Sequence, residues 1–203
     1  MTSDPTPVRV ILASANSNKL REYAQILART GVEIVAPADA GIDLDVPEDG
    51  STFLENARVK AVAFSKVTDC WVMGDDSGLA VDSLGGRPGV HSRRFGSKSS
   101  DADRIAYLLE EIQKSDSSSA GARFICAIAV ARHGNVVFET ERSCEGSIAG
   151  APRGDGGFGY DPVFIPDGYS ATLGELGADV KNRISHRSSA AADVVRFIGG
   201  IED

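Results

Sequence analysis

An α/β fold is what the sequence predicts, and two observations carry that expectation. Short β-branched apolar runs at Val8–Ala13, Val32–Ala36, Cys70–Met73, Phe124–Ala131 and Val136–Glu141 have the length and composition of strands. Among them lie stretches whose apolar residues return at helical spacing, such as Leu20, Tyr23, Ala24 and Leu27, or Ile105, Leu108, Leu109 and Ile112. The 203 residues suit one domain over 8–203 with a real core, behind a frayed tail at 1–7. A polar, serine-rich connection at 115–121 can separate two lobes.

In chain order, Val8–Ala13 leads into Ser14-Ala15-Asn16-Ser17-Asn18-Lys19 and then a helix ending near Gly31. Strand, polar turn and helix follow the logic of a phosphate loop without its glycines. The turn suits an anion held by helix-start amides, the Ser14 hydroxyl, the Asn16 amide and the Lys19 ammonium. It suits an Asn/Ser helix cap followed by a solvated lysine equally well. After Val32–Ala36 comes an acidic loop through Asp39, Asp43, Asp45, Glu48 and Asp49, either a solvated face or the source of a metal ligand. Thr52-Phe53-Leu54-Glu55 has capping-box spacing and opens a helix with Phe53, Ala57, Ala61 and Phe64 inward. Asn56 and Lys60, four apart, share another stripe of that helix.

The centre of the chain is Gly74-Asp75-Asp76-Ser77-Gly78, directly after the apolar run. The glycines suggest that the strand stops here and leaves two carboxylates at its end, one facing a cleft and one behind. Such a pair fits a hard divalent cation or a general base acting on water; an acidic β-turn capping its own amides fits as well. Further on, Gly85 to Arg94 reads as a shaped basic loop, and His133-Gly134-Asn135 as an exposed hairpin turn. Gly154 to Asp161 packs glycines around Phe158 and Tyr160, which either stack on a planar ring or plug the core. Thr172-Leu173-Gly174-Glu175 opens a helix running through Lys181, and Ser185-His186-Arg187 precedes the last one.

Composition narrows the function classes. A net charge of -8 argues against a broad nucleic-acid footprint, and no apolar run is long enough to span a bilayer. Cys70, Cys126 and Cys144 are an odd number without close pairing, as expected of reduced packing residues in a cytoplasmic protein.

Five segments, Ser14–Lys19, Thr52–Ala57, Gly74–Leu79, Gly157–Pro162 and Ser185–Arg187, stand in an order and spacing that together resemble the inosine triphosphate pyrophosphatase (Ham1/RdgB-like) family. The resemblance implies an elongated α/β fold with a mixed central sheet, two lobes with an active cleft between them, and a homodimer. It implies Mg2+-dependent hydrolysis of ITP, dITP and XTP to monophosphate and pyrophosphate, which cleanses the nucleotide pool. By motif, Asp76 resembles the family's general base and a metal ligand, with Glu48 or Asp49 at a second acidic metal position. Ser14, Ala15, Asn16, Ser17, Asn18, Lys19 and Lys60 correspond to the polyphosphate grip and Ser77 to a substrate contact. Phe158, Gly159, Tyr160, Asp161, Lys181, His186 and Arg187 correspond to the nucleoside end. A donor from His186 or Arg187 to the keto oxygen at the purine six-position would favour hypoxanthine and xanthine over adenine. The competing readings are a Maf-like pyrophosphatase acting on modified pyrimidines and a nucleotide sensor without turnover. Pyrophosphate release and a dITP, TTP and UTP comparison separate these.

Overall fold

The computed structural model describes residues 6–115 and 121–200, so most of the expected tail and of the serine-rich connection lies outside the described residues. The chain runs β1 (Val8–Leu12), α1 (Ser17–Ile26), β2 (Val32–Val35), α2 (Phe53–Ser65), β3 (Trp71–Val81), α3 (Asp101–Lys114) and β4 (Gly121–Arg132). β5 (Asn135–Ile148), β6 (Phe164–Pro166), α4 (Leu173–Ile184) and α5 (His186–Gly199) complete it. The strands form one mixed sheet in the order β2-β1-β3-β4-β5-β6. β1 lies parallel to β2, with Val8 opposite Val32, and parallel to β3, with Val10 opposite Trp71; β5 and β6 are antiparallel. Parallel neighbours need crossovers, and α1 and α2 fall in the two connections β1 to β2 and β2 to β3.

Local chemistry explains the elements that carry the site. α1 begins where Asn16 accepts the Asn18 and Lys19 amides at 3.0 and 3.3 Å. It ends at Ile26, short of Gly31. α2 begins at a complete capping box: Thr52 Oγ1 accepts the Glu55 amide at 3.1 Å and Glu55 accepts the Thr52 amide at 3.3 Å. Its Phe53, Ala57, Ala61 and Phe64 are buried as the spacing requires, and so are Asn56 and Lys60 on the other stripe. β4 and β5 meet at His133-Gly134, both at positive φ, with His133 exposed.

One expectation fails. The strand does not stop at Gly74: β3 continues through Gly74–Gly78 to Val81, so Asp75 and Asp76 sit mid-strand. Here the glycines serve close packing. A Cβ at Gly74 would stand 2.1 Å from the Ala57 carbonyl of α2, and one at Gly78 would stand 2.3 Å from Ser92 Oγ. Extended backbone still sends the two carboxylates to opposite faces, as alternation demands.

The chain divides into two compact units. The first takes the chain up to Asp76, Cys126–Arg142 and the chain from Arg187; the second takes Ser77–Ile125 and Ser143–His186. The first unit's core joins Val10, Leu12, Tyr23, Leu27, Met73, Ile128 and Val130 to Ala190, Val194 and Ile198 of α5. The second has its own core of Leu79, Val81, Phe95, Ile105, Leu108, Phe124, Tyr160, Phe164 and Leu173. Cys126 and Cys144 are buried and all three cysteines are unpaired thiols.

Candidate active site

In the first unit, the middle of β3 collects charge from α1, α2, α5 and the acidic loop. Asp76, 7% exposed, accepts the Asn56 amide at 2.9 Å and faces the Lys60 ammonium at 3.6 Å. Lys60 also donates to Glu48 Oε1 at 2.8 Å and to the Asp75 carbonyl at 2.5 Å. The acidic loop therefore does reach this place, through Glu48, whereas Asp39, Asp43, Asp45 and Asp49 are exposed. Burial pushes the Asp76 carboxyl above its usual range, although Lys60, Lys19 and Asn56 pull the other way.

Asp75 occupies the opposite face and is fully buried. Oδ1 accepts the Lys19 ammonium, and Oδ2 accepts the Tyr23 hydroxyl at 2.5 Å and the Cys126 thiol at 3.4 Å. The Arg187 guanidinium stands 3.5 Å from Oδ2 and donates to Glu22 at 2.8 Å. Burial would raise this carboxyl, but Lys19 and Arg187 outweigh it and hold it far below the usual carboxylate range. Burial and the Asp75 charge together push the Tyr23 and Cys126 protons the other way, so both remain donors to it. Adjacent carboxylates thus differ in kind: Asp75 is a permanent anion, while Asp76 is a stronger base than a free aspartate.

The Ser14–Lys19 turn answers both of its readings. Asn16 is the helix cap, and Ser14 Oγ accepts the Asn16 amide at 3.2 Å. Lys19, however, is not solvated: its side chain is 11% exposed and points to Asp75. Asn18 accepts Arg21, while Ala15 and Ser17 are exposed at the start of α1.

The second unit holds a separate cluster. The Lys181 ammonium is 2.6 Å from Asp161 Oδ2 and 4.5 Å from the centre of the Phe158 ring. Asp161 also accepts the Phe158 amide at 2.8 Å, and the Gly159 amide donates to Asp101 at 2.8 Å. Gly157, at φ 76°, leaves no room for a side chain, since a Cβ would lie 2.0 Å from Asp161 Oδ2. Of the two aromatics, Tyr160 is plugged into the core with its hydroxyl on the Ser92 carbonyl at 2.8 Å. Phe158 is half-buried, with the Lys181 ammonium over its ring. Ser77 is half-buried at the start of this unit, and His186 is buried with its ring stacked on Phe124 at 4.9 Å.

Lys19, Glu48, Asn56, Lys60, Asp76 and Arg187 are thus gathered in one unit, and Phe158, Gly159, Asp161 and Lys181 in the other. Glu22, Tyr23 and Cys126 escaped the sequence reading. Tyr23 looked like part of an apolar helix face, and Cys126 like strand filling. The only signal for Glu22 was a charged residue beside that face.

The Ham1 family profile matches residues 10–197. The chain is 48% identical over 182 residues to a dITP/XTP pyrophosphatase of Geobacillus kaustophilus, covering 89% of each chain. It is 49% identical over 181 residues to one of Gloeobacter violaceus, again covering 89% of each. The fold superposes on a HAM1 protein from Coxiella burnetii with a TM-score of 0.85 at 36% identity, over 95% of this chain and 99% of that one.

Proposed function

Because the chain belongs to the Ham1 family, we propose that it hydrolyses ITP, dITP and XTP to the nucleoside monophosphate and pyrophosphate with Mg2+. The observation that carries this reading is the joining of Asp76, Glu48, Lys60 and Lys19 around one stretch of β3.

The residues fit Mg2+. Among the described residues no group of three or more His, Cys, Asp or Glu encloses a cation, but Mg2+ needs only one or two carboxylates beside water and phosphate oxygens. Asp76 and Glu48 both reach Lys60, so they can serve one ion, and exposed Asp49 is the poorer candidate. When bound, the ion supplies positive charge to the phosphate oxygens. Asp76, made more basic by burial and aimed by the Asn56 amide, takes the proton of the attacking water. Lys19 and Lys60 balance charge on the departing pyrophosphate, and the Ser14–Lys19 turn lies along the phosphate chain. Phe158, whose ring lies under the Lys181 ammonium, and Lys181 itself, held on Asp161, are assigned to the purine end, and Ser77 is a further contact. The keto oxygen at the six-position is assigned to His186, while Arg187 stays with Glu22 and Asp75. The protein acts as one two-lobed domain, in a homodimer of the cytoplasm.

A panel of nucleoside triphosphates with Mg2+, resolving monophosphate plus pyrophosphate from diphosphate plus orthophosphate, tests this. Pyrophosphate from dITP and XTP in preference to ATP, TTP and UTP is the expected result. Orthophosphate release, or none from any nucleotide, would overturn it.

A further inference from the structure

Asp75 has no part in the reaction as assigned above, yet Lys19, Lys60 and Arg187 all reach it. Both ammoniums of the phosphate grip reach its carbonyl oxygen, Lys60 at 2.5 Å and Lys19 at 3.3 Å, and so lie within about 6 Å of one another. Left to themselves, two like charges on long flexible stems repel and separate. The Asp75 carboxylate opposes that separation: it is sealed from solvent, and its Oδ1 takes the Lys19 ammonium. Its own position is fixed from the core side, where the Tyr23 hydroxyl and the Cys126 thiol donate to Oδ2 and Arg187 stands beside them. A buried ionic cluster of this kind is a poor way to stabilise a fold, since well-packed apolar residues of similar volume do as well or better. Its presence one residue from Asp76 is explained if its geometry matters to the site.

We infer that Asp75 is a positioning residue, a fixed anion that sets the spacing of the Lys19 and Lys60 ammoniums for the polyphosphate, without touching substrate itself. The inference rests on the pyrophosphatase reading and deepens it.

The test is Asp75→Asn, which keeps volume and an acceptor for Tyr23 but removes the charge and turns a donor toward Lys19. Calorimetric binding of imidodiphosphate in the presence of Mg2+ should weaken by at least about 10-fold, while binding of IMP changes by less than about 3-fold. In a Lys19→Met background the same change should cost no more than about 3-fold in kcat/KM, because its effect runs through that lysine. Equal weakening of both ligands, or losses that simply multiply, would reduce Asp75 to a structural role and overturn the inference. Should Asp75→Asn not fold, Tyr23→Phe decides, since it keeps the charge and removes one bond that fixes it. A loss of about 3-fold for imidodiphosphate with IMP unchanged supports positioning, and no loss for either ligand refutes it. Failure here appears in the variants while wild-type protein still releases pyrophosphate; failure of the underlying reading appears in the wild type itself.

Discussion

Replacing Gly74 by alanine tests whether the contact of β3 with α2 sets the geometry of the site. The new Cβ would lie 2.1 Å from the Ala57 carbonyl oxygen and 2.9 Å from the Ala61 amide nitrogen, where ordinary contact starts at 3.4 Å, a shortfall of about 1.3 Å. Both obstacles are helix backbone, which cannot swing aside as a side chain can. Either α2 moves off the strand or β3 bows away from it. In both cases Asn56 and Lys60, which flank Ala57 on α2, lose their register with the carboxylates. The 2.9 Å bond from Asn56 to Asp76 would open toward about 4 Å, beyond hydrogen-bond reach. Overpacking of this kind costs about 1–3 kcal/mol. At this chain length that lowers the melting temperature by about 2–4 °C per kcal/mol. A misplacement near 1 Å at the reacting groups should reduce kcat/KM by about 100-fold. Pyrophosphate release from dITP and urea unfolding of the same preparation measure the two effects. A variant whose kcat/KM stays within about 3-fold of wild type would refute the reasoning, because α2 would then be shown to matter little to Asp76.

Three further outcomes follow from the same geometry. Asp76→Asn should abolish turnover and yet leave the fold more stable than wild type at neutral pH. The sign follows from the raised carboxyl: folded protein holds that proton more tightly than unfolded protein, so stability falls as pH climbs through the window above about 4, and the variant escapes the loss. Equal melting temperatures at pH 7 would contradict it. Asp75 behaves oppositely, because its depressed carboxyl contributes stability that is present above about pH 4 and is lost as pH falls below that value. Urea midpoints should therefore decline more steeply toward acid in wild type than in Asp75→Asn, and parallel slopes would count against the buried ion cluster. Lys181→Met strands the Asp161 carboxylate, 1% exposed, without its cation and should cost about 3–5 kcal/mol in unfolding free energy. A loss below about 1 kcal/mol would mean that the pair is not held as closely as its 2.6 Å separation indicates.

The parts of the fold readable in advance were those governed by near neighbours in the chain. Helix starts at Asn16 and Thr52, the hairpin turn at His133-Gly134 and the alternation across Asp75-Asp76 depend on caps, turn residues and strand pleat within a few positions. Local signals misled at Gly74 and Gly78. A glycine that permits a turn and a glycine that admits another backbone look identical until the other backbone is in place.

Five short segments by themselves determined which family this chain resembles and which residue types its site contains, because motif chemistry is written into contiguous sequence. Only the tertiary structure decided what each charge faces. It drew Lys19 out of solvent and onto Asp75, brought Glu48 to Lys60, consigned Tyr160 to the core and set Lys181 over the Phe158 ring. Such choices turn on distances between residues as far apart as Glu22 and Arg187 or Tyr23 and Cys126. No local propensity encodes those distances; they follow from which strands pair and which helix packs on them.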